Sequence, residues 1–156
     1  MKLHLFCIGR LSEAYLKEGC QEFAARLNRY LPLVIDEQKE YKTGSKPDLP
    51  RILENEGQRL LERIPAGAFV IVLDERGRTF KTHQLADRLN RHMIEGCSGW
   101  VILIGGPHGL SDTVRERADL LLSLTPLTLT HQMARLLLLE QLYRCCTIIR
   151  NEPYHH

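Results

Sequence analysis

The chain has 156 residues, 44% of them hydrophobic and 26% charged, with a formal net charge of +2. This suits one domain with a single core, and the basic excess is too small to hold nucleic acid by counterion release alone. The longest apolar runs, "AFVIVL", "WVILI" and "LLLL", fall short of the roughly 20 residues of a membrane span, and "MKLHLFCIGR" has no signal-peptide cleavage site, so a cytoplasmic protein is expected.

Residues 2–9, "KLHLFCIG", read as a strand closed by Gly9. Ser12 is placed to cap a helix whose Leu16, Cys20, Phe23, Ala24, Leu27 and Leu31 recur at three- and four-residue spacing, ending near Pro32. "LVIDEQ" is a second strand, and "KEYKTGSKPDLP" a loop rich in charge and turn formers. Pro50 suits the first turn of a second helix, which carries Ile52, Leu53, Leu60, Leu61 and Ile64 and stops before Pro65 and Gly67. The third strand is "FVIVLD", followed by a turn, "ERGR". Thr82 then precedes a helix with Leu85, Ala86, Leu89 and Met93 inward and Gly96 as its stop. "WVILIG" is the fourth strand. Ser111 caps the short helix "SDTVRERA", "LLLSL" is the fifth strand, and one long helix runs from about His131 to Arg150, with a stripe of Ala134, Leu137, Leu138, Leu142, Cys145 and Ile149.

Strands without polar alternation, separated by helices, predict an α/β fold with a parallel sheet covered on both faces, in one domain over 1–156. Ligands in such sheets bind outside the carboxyl ends of the strands. Three of these ends are chemically distinctive: "VLDERG", "LIGGPHG" and "LTPLTLTHQ". The glycine turn Leu103–Gly109 is not a G-x-G-x-x-G fingerprint, Pro107 removes an amide that a phosphate nest needs, and no G-K-[ST] occurs. Two readings remain for it: a tight turn that lets the next helix pack, or close approach of backbone to a flat group such as an adenosine. The Leu/Thr segment around Pro126 is either a plain strand-to-helix connection or a surface of main-chain groups able to hold an adenine. Five scattered cysteines without C-x-x-C indicate neither a disulfide framework nor a zinc ribbon, and His4, His83 and His92 lack metal-ligand spacing; no metal is expected.

Together "IGGPHG", "LSLTPLTLTHQMARLLLLEQLYR" and "IIRNEPYHH" resemble the SPOUT class of S-adenosylmethionine-dependent RNA methyltransferases, and over the whole length the chain resembles the bacterial ribosomal RNA large-subunit methyltransferase H family. The resemblance implies a C-terminal deep trefoil knot, which general rules of chain topology argue against. It also implies methylation of N3 of a pseudouridine in 23S ribosomal RNA, and a homodimer whose site is completed by the second subunit. The implied S-adenosylmethionine pocket comprises Leu73, Gly105, Leu124, Thr125, Pro126, Leu127, Thr128 and Leu129. Two departures stand out: His108 occupies the place of an acidic residue after "GGP", and His156 that of a terminal basic residue.

A sulfonium methyl is already electrophilic, so alignment and exclusion of water are the protein's main tasks. N3 of a pseudouridine must lose a proton, which calls for a base or a cation to stabilise the anion. Tyr154, His155 and Arg144 are the catalytic candidates, with Lys39, Lys42, Lys46 and Arg150 as phosphate contacts alongside Arg144. An assembled ribosome, offering shape as well as charge, is the expected substrate. Two other readings stay open: the same donor with another acceptor, such as a ribose 2′-hydroxyl or a transfer-RNA base, and a non-catalytic nucleotide-binding module.

Overall fold

The computed structural model describes residues 1–155, and of His155 the backbone alone. The elements are β1 (Lys2–Ile8), α1 (Ala14–Leu27), β2 (Leu33–Gln38), α2 (Leu49–Leu61), β3 (Phe69–Arg78), α3 (Thr82–Ile94), β4 (Gly99–Ile104), α4 (Asp112–Glu116), β5 (Leu120–Leu122) and α5 (His131–Ile149), with a 3₁₀ turn at Pro153–His155. The five strands form one all-parallel sheet in the order β2-β1-β4-β3-β5. The α/β fold predicted from the sequence is the one observed.

Side chains of a strand alternate between the two faces of its sheet, and both faces are covered here, which is why the central strands carry almost no polar residue. Leu3, Leu5, Cys7, Ile71, Trp100, Ile102 and Ile104 pack against α1, α3 and α5. Phe6, Ile8, Val70, Val72, Val101 and Leu103 form a second cluster with Leu60 and Val114 from α2 and α4. Trp100 is fully buried, and its indole N–H donates to Nδ1 of His92 at 2.8 Å, so that histidine serves the core.

Several boundaries differ from expectation. Ser12 does not cap α1; its backbone N–H and its Oγ meet the side-chain amide of Gln132 at 2.8 and 2.9 Å, tying the start of α1 to the start of α5. Asp48 caps α2 by accepting from the Arg51 N–H, with Pro50 in the first turn as expected. Thr82 lies inside α3, capped at Lys81. Ser111 does cap α4, which is a single short helix of five residues, and β5 is shorter than "LLLSL".

The larger correction concerns "ERGR". It does not turn; it continues β3, whose pairing with β5 shifts register between Leu73 and Arg78. Gly77 permits this, since a Cβ there would lie 2.6 Å from the Leu122 carbonyl carbon. The bulged residues 74–76 are thereby displaced from the ladder at the carboxyl end of the sheet.

On α5, Leu138, Leu142 and Cys145 are buried as the stripe requires, whereas Leu137 is only half-buried. Arg135, absent from the expected stripe, is 1% exposed.

Candidate active site

A cavity of about 980 Å³ opens at the carboxyl ends of β3, β4 and β5, where the three distinctive loops meet. Its base includes Ile104 and Leu122, the last residues of β4 and β5, and Leu73, the last residue of β3 before its register shift. Gly105, Leu124, Thr125, Leu127, Thr128 and Leu129, all expected at a cofactor pocket, line it; Pro126, expected with them, does not.

The glycine turn is held by its own backbone. Gly106 and Gly109 form an isolated antiparallel bridge, the Gly109 N–H donates to the Gly106 carbonyl at 3.0 Å, and Gly109 has φ +85°. A Cβ on Gly105 would fall 2.5 Å from the Gly109 carbonyl oxygen, and one on Gly106 would fall 2.9 Å from Ile8. Glycine is required at 105 by the loop's return on itself, so the packing reading accounts for that residue while the loop still forms a cavity wall.

The Leu124–Thr130 segment has no regular structure. Its internal hydrogen bonds include Ser123 Oγ to the Thr125 carbonyl at 2.9 Å and the Leu127 N–H to Thr125 Oγ1 at 3.2 Å. Among the described residues, the backbone–backbone hydrogen bond of this segment is that from the Ala134 N–H to the Thr130 carbonyl, at 2.9 Å. Thr130 caps α5 through the Met133 N–H, and His131 opens that helix beside the cavity. Burial, reinforced by the charge of Arg135, lowers the pKa of His131, which therefore stays neutral near pH 7; its Nδ1 is buried without a hydrogen-bond partner among the described residues.

The displaced end of β3, singled out in the sequence as the distinctive stretch "VLDERG" but given no residue roles there, supplies charges to the cavity. Asp74, Glu75 and Arg76 line the cavity, as do Glu13 and Arg115. Asp74 accepts from Arg115 Nε at 2.6 Å and Arg76 Nε at 3.2 Å. Burial alone would raise its pKa, but the hydrogen bonds from Arg76 and Arg115 outweigh that and hold it at about 2. The signal available in advance was the charge run "DERGR" directly after an apolar strand. His108, the unusual residue of the glycine turn, is an exposed member of the cavity wall.

The tail candidates lie elsewhere. Arg144 donates Nε and Nη2 to Glu140 Oε1 at 2.9 and 2.6 Å, Tyr154 Oη donates to the same oxygen at 3.2 Å, and the Arg144 guanidinium sits 4.7 Å from the Tyr154 ring centroid. The Tyr143 ring packs edge-on against Tyr154, and Tyr30 donates to the Glu152 carboxylate. Burial, then the neighbouring Glu140 carboxylate, raises the Tyr154 pKa, so the group is a neutral phenol at physiological pH. None of these tail residues lines the cavity. The structure therefore joins Arg144 to Tyr154 and separates both from the pocket of the same chain; the His155 side chain lies outside the described residues.

A family model described as "Predicted SPOUT methyltransferase" matches residues 1–155. The chain belongs to the SPOUT methyltransferase family. Among SPOUT relatives, the ribosomal RNA large subunit methyltransferase H of Syntrophotalea carbinolica is 58% identical over 156 residues, covering all of this chain and 99% of the relative. The protein of the same description from Trichlorobacter lovleyi is 43% identical over 156 residues and covers both chains fully. Among solved structures, a "probable methylase family protein" of Haemophilus influenzae Rd KW20 superposes with a TM-score of 0.52 at 15% identity, covering 97% of this chain and 69% of that one, a likeness of fold. The protein is accordingly a methyltransferase. Among the described residues no helix is long and apolar enough to cross a membrane.

Proposed function

We propose that this methyltransferase transfers a methyl group from S-adenosylmethionine to N3 of a pseudouridine in 23S ribosomal RNA of the assembled ribosome, acting as a homodimer. The full-length likeness to the large-subunit methyltransferase H proteins, which at 58% identity includes the tail, is the observation that carries this reading.

The cavity fits the donor. Its volume suits a nucleoside-sized ligand, its walls carry many apolar side chains, and three carboxylates, Glu13, Asp74 and Glu75, against two guanidiniums, Arg76 and Arg115, leave a formal −1 toward a cationic ligand. Leu73, Gly105 and the Leu124–Leu129 segment would hold it, with Pro126 acting by shaping that segment. Bound there, the donor supplies an electrophilic methyl group. The chain's own residues must then orient the acceptor, exclude water and manage the N3 proton. As a neutral phenol Tyr154 serves as a hydrogen-bond donor, Arg144 stabilises the anionic base, and His155 is the tail residue suited to accept a proton near neutral pH.

A composite site reconciles this chemistry with the distance between tail and pocket: the tail of one subunit serves the pocket of the other. Leu127, 74% exposed, and Met133, 39% exposed, place apolar surface beside the cavity mouth, which supports a dimer closing over it. A threaded C-terminal segment, the knot of this family, would account for α5 packing between α1 and α3 after β5 leaves the sheet edge.

Nucleoside mapping of ribosomal RNA from a deletion strain tests the acceptor. Loss of one N3-methylated pseudouridine is expected; loss of a ribose methyl or a transfer-RNA mark instead would move the activity to another acceptor.

A further inference from the structure

A second cavity, of about 440 Å³, lies across the α1–α5 contact from the first. Along α1 the divide falls between Leu16, facing the large cavity, and Lys17, facing the small one; along α5 it falls between Ala134 and Arg135. The floor is apolar. Leu5 of β1 pairs in register with Ile35 of the edge strand β2, so both side chains share one face of the sheet. Leu5 is buried, but Ile35 remains 40% exposed because α1 does not reach across the edge. Leu11, Ala24 and Leu139 complete this shelf.

Charge is concentrated at the same place. Arg10 and Lys17 stand exposed at the rim, and Arg135 reaches the cavity from a position only 1% exposed. Arg135 bonds Glu37 at 2.6 Å through Nη1, and the Ile8 and Gly9 carbonyls through Nη2, while its Nε is buried with no partner among the described residues. Among the described residues Glu37 is the one carboxylate lining the cavity, and Arg135 already engages it. Three cations against one anion leave a formal +2 around an apolar shelf. Two exposed cations, with the buried Arg135 charge behind them, match the oxygens of a phosphate, and the shelf matches a flat, weakly polar ring. The volume falls within the range of small-ligand sites and is under half that of the donor cavity.

We propose that this cavity binds one nucleotide of the RNA strand flanking the acceptor, its base on the Leu5–Ile35 shelf and its phosphate on Arg10 and Lys17, with the charge of Arg135 behind them. The proposal rests on the RNA-methylating reading above. It also answers a difficulty of that reading: a chain of net charge +2 needs local sites that combine shape with charge, since its overall field contributes little. The shelf has no aromatic ring, so single-nucleotide affinity is weak, in the millimolar range on the order of 4 kcal/mol.

The test uses the full chain with S-adenosylhomocysteine present to fill the large cavity. Uridine monophosphate, uridine and inorganic phosphate are titrated separately while the methyl resonances of Leu11, Ala24, Ile35 and Leu139 are followed. Uridine monophosphate should shift them saturably, more strongly than either half of the molecule, and the Arg10→Glu/Lys17→Glu double variant should abolish the response. In methyl-transfer assays the double variant should raise KM for ribosomes about tenfold or more, with kcat within about twofold and donor affinity unchanged. Absence of saturable shifts, or shifts retained in the variant, overturns the site. Lost uridine monophosphate binding with an unaltered KM would assign it to a free nucleotide and overturn the RNA contact. A changed oligomeric state of the variant in ultracentrifugation would make the face a contact between copies, which also overturns it. Because the titration reads the cavity without turnover, failure of methyl transfer in the wild type leaves it decisive.

Discussion

Asp74 sits where the apolar part of β3 ends and the large cavity begins, and two arginines hold it ionised. Its folded pKa of about 2 lies below the ordinary value of 3.8, so the group contributes stability that is fully present above pH 4 and is lost as pH falls toward 2. The increment is about 1–2 kcal/mol after allowing for the solvated partner Arg76. Urea denaturation between pH 2 and 6 should show the wild type losing this increment on acidification and Asp74→Asn lacking it throughout; equal pH dependence in the two proteins would contradict the assignment. Arg135 is the second residue whose environment decides its meaning. It bridges the end of β1 to Glu37, so Arg135→Met should destabilise the fold by about 2–4 kcal/mol, chiefly by leaving the Ile8 and Gly9 carbonyls without their donor. Denaturant midpoints measure this directly, and a loss below about 0.5 kcal/mol would show that water replaces the guanidinium without penalty.

At the level of elements, the cavity is built from the ends of three parallel strands, and two backbone devices shape it. The first is the glycine turn, closed by the Gly106–Gly109 bridge, and the second is the bulge of β3 over Gly77. Gly105→Ala forces its methyl against the Gly109 carbonyl, so calorimetry should show donor affinity lowered about tenfold or more while circular dichroism retains the α/β spectrum. Unchanged affinity would remove this loop from the cofactor wall. The strands and helices were legible beforehand because apolar periodicity reports burial on one face or two. The bulge was not: "ERGR" has the composition of a turn, and only pairing with Leu122 reveals it as strand. Arg135 was missed for the opposite reason, since a helical stripe read by hydrophobicity passes over a cation whose charge is matched from another element. Ser12 has the right chemistry for a cap, but Gln132, 120 positions away in sequence, takes it instead. The pocket residues expected from family likeness fall around one cavity, apart from Pro126, whereas among the described residues Arg144 and Tyr154 of the tail site do not line it.

For the whole molecule, the proposed composite site has the tail of one subunit serving the pocket of the other. A pocket variant, Gly105→Ala, and a tail variant, Tyr154→Ala, should each be impaired alone. Mixed one to one and allowed to exchange subunits, they should recover about a quarter of wild-type activity, because half the dimers are mixed and each of these holds one intact composite site. No recovery would mean that each chain serves its own pocket. The central claim, methyl transfer to a pseudouridine of the large ribosomal RNA, is tested most directly by incubating the purified protein with labelled S-adenosylmethionine and ribosomes from a strain lacking it, then mapping the labelled nucleoside. The account predicts label at N3 of a single pseudouridine in 23S RNA of assembled ribosomes, and little on protein-free RNA; label on another nucleoside, or equal labelling of naked RNA, would contradict it.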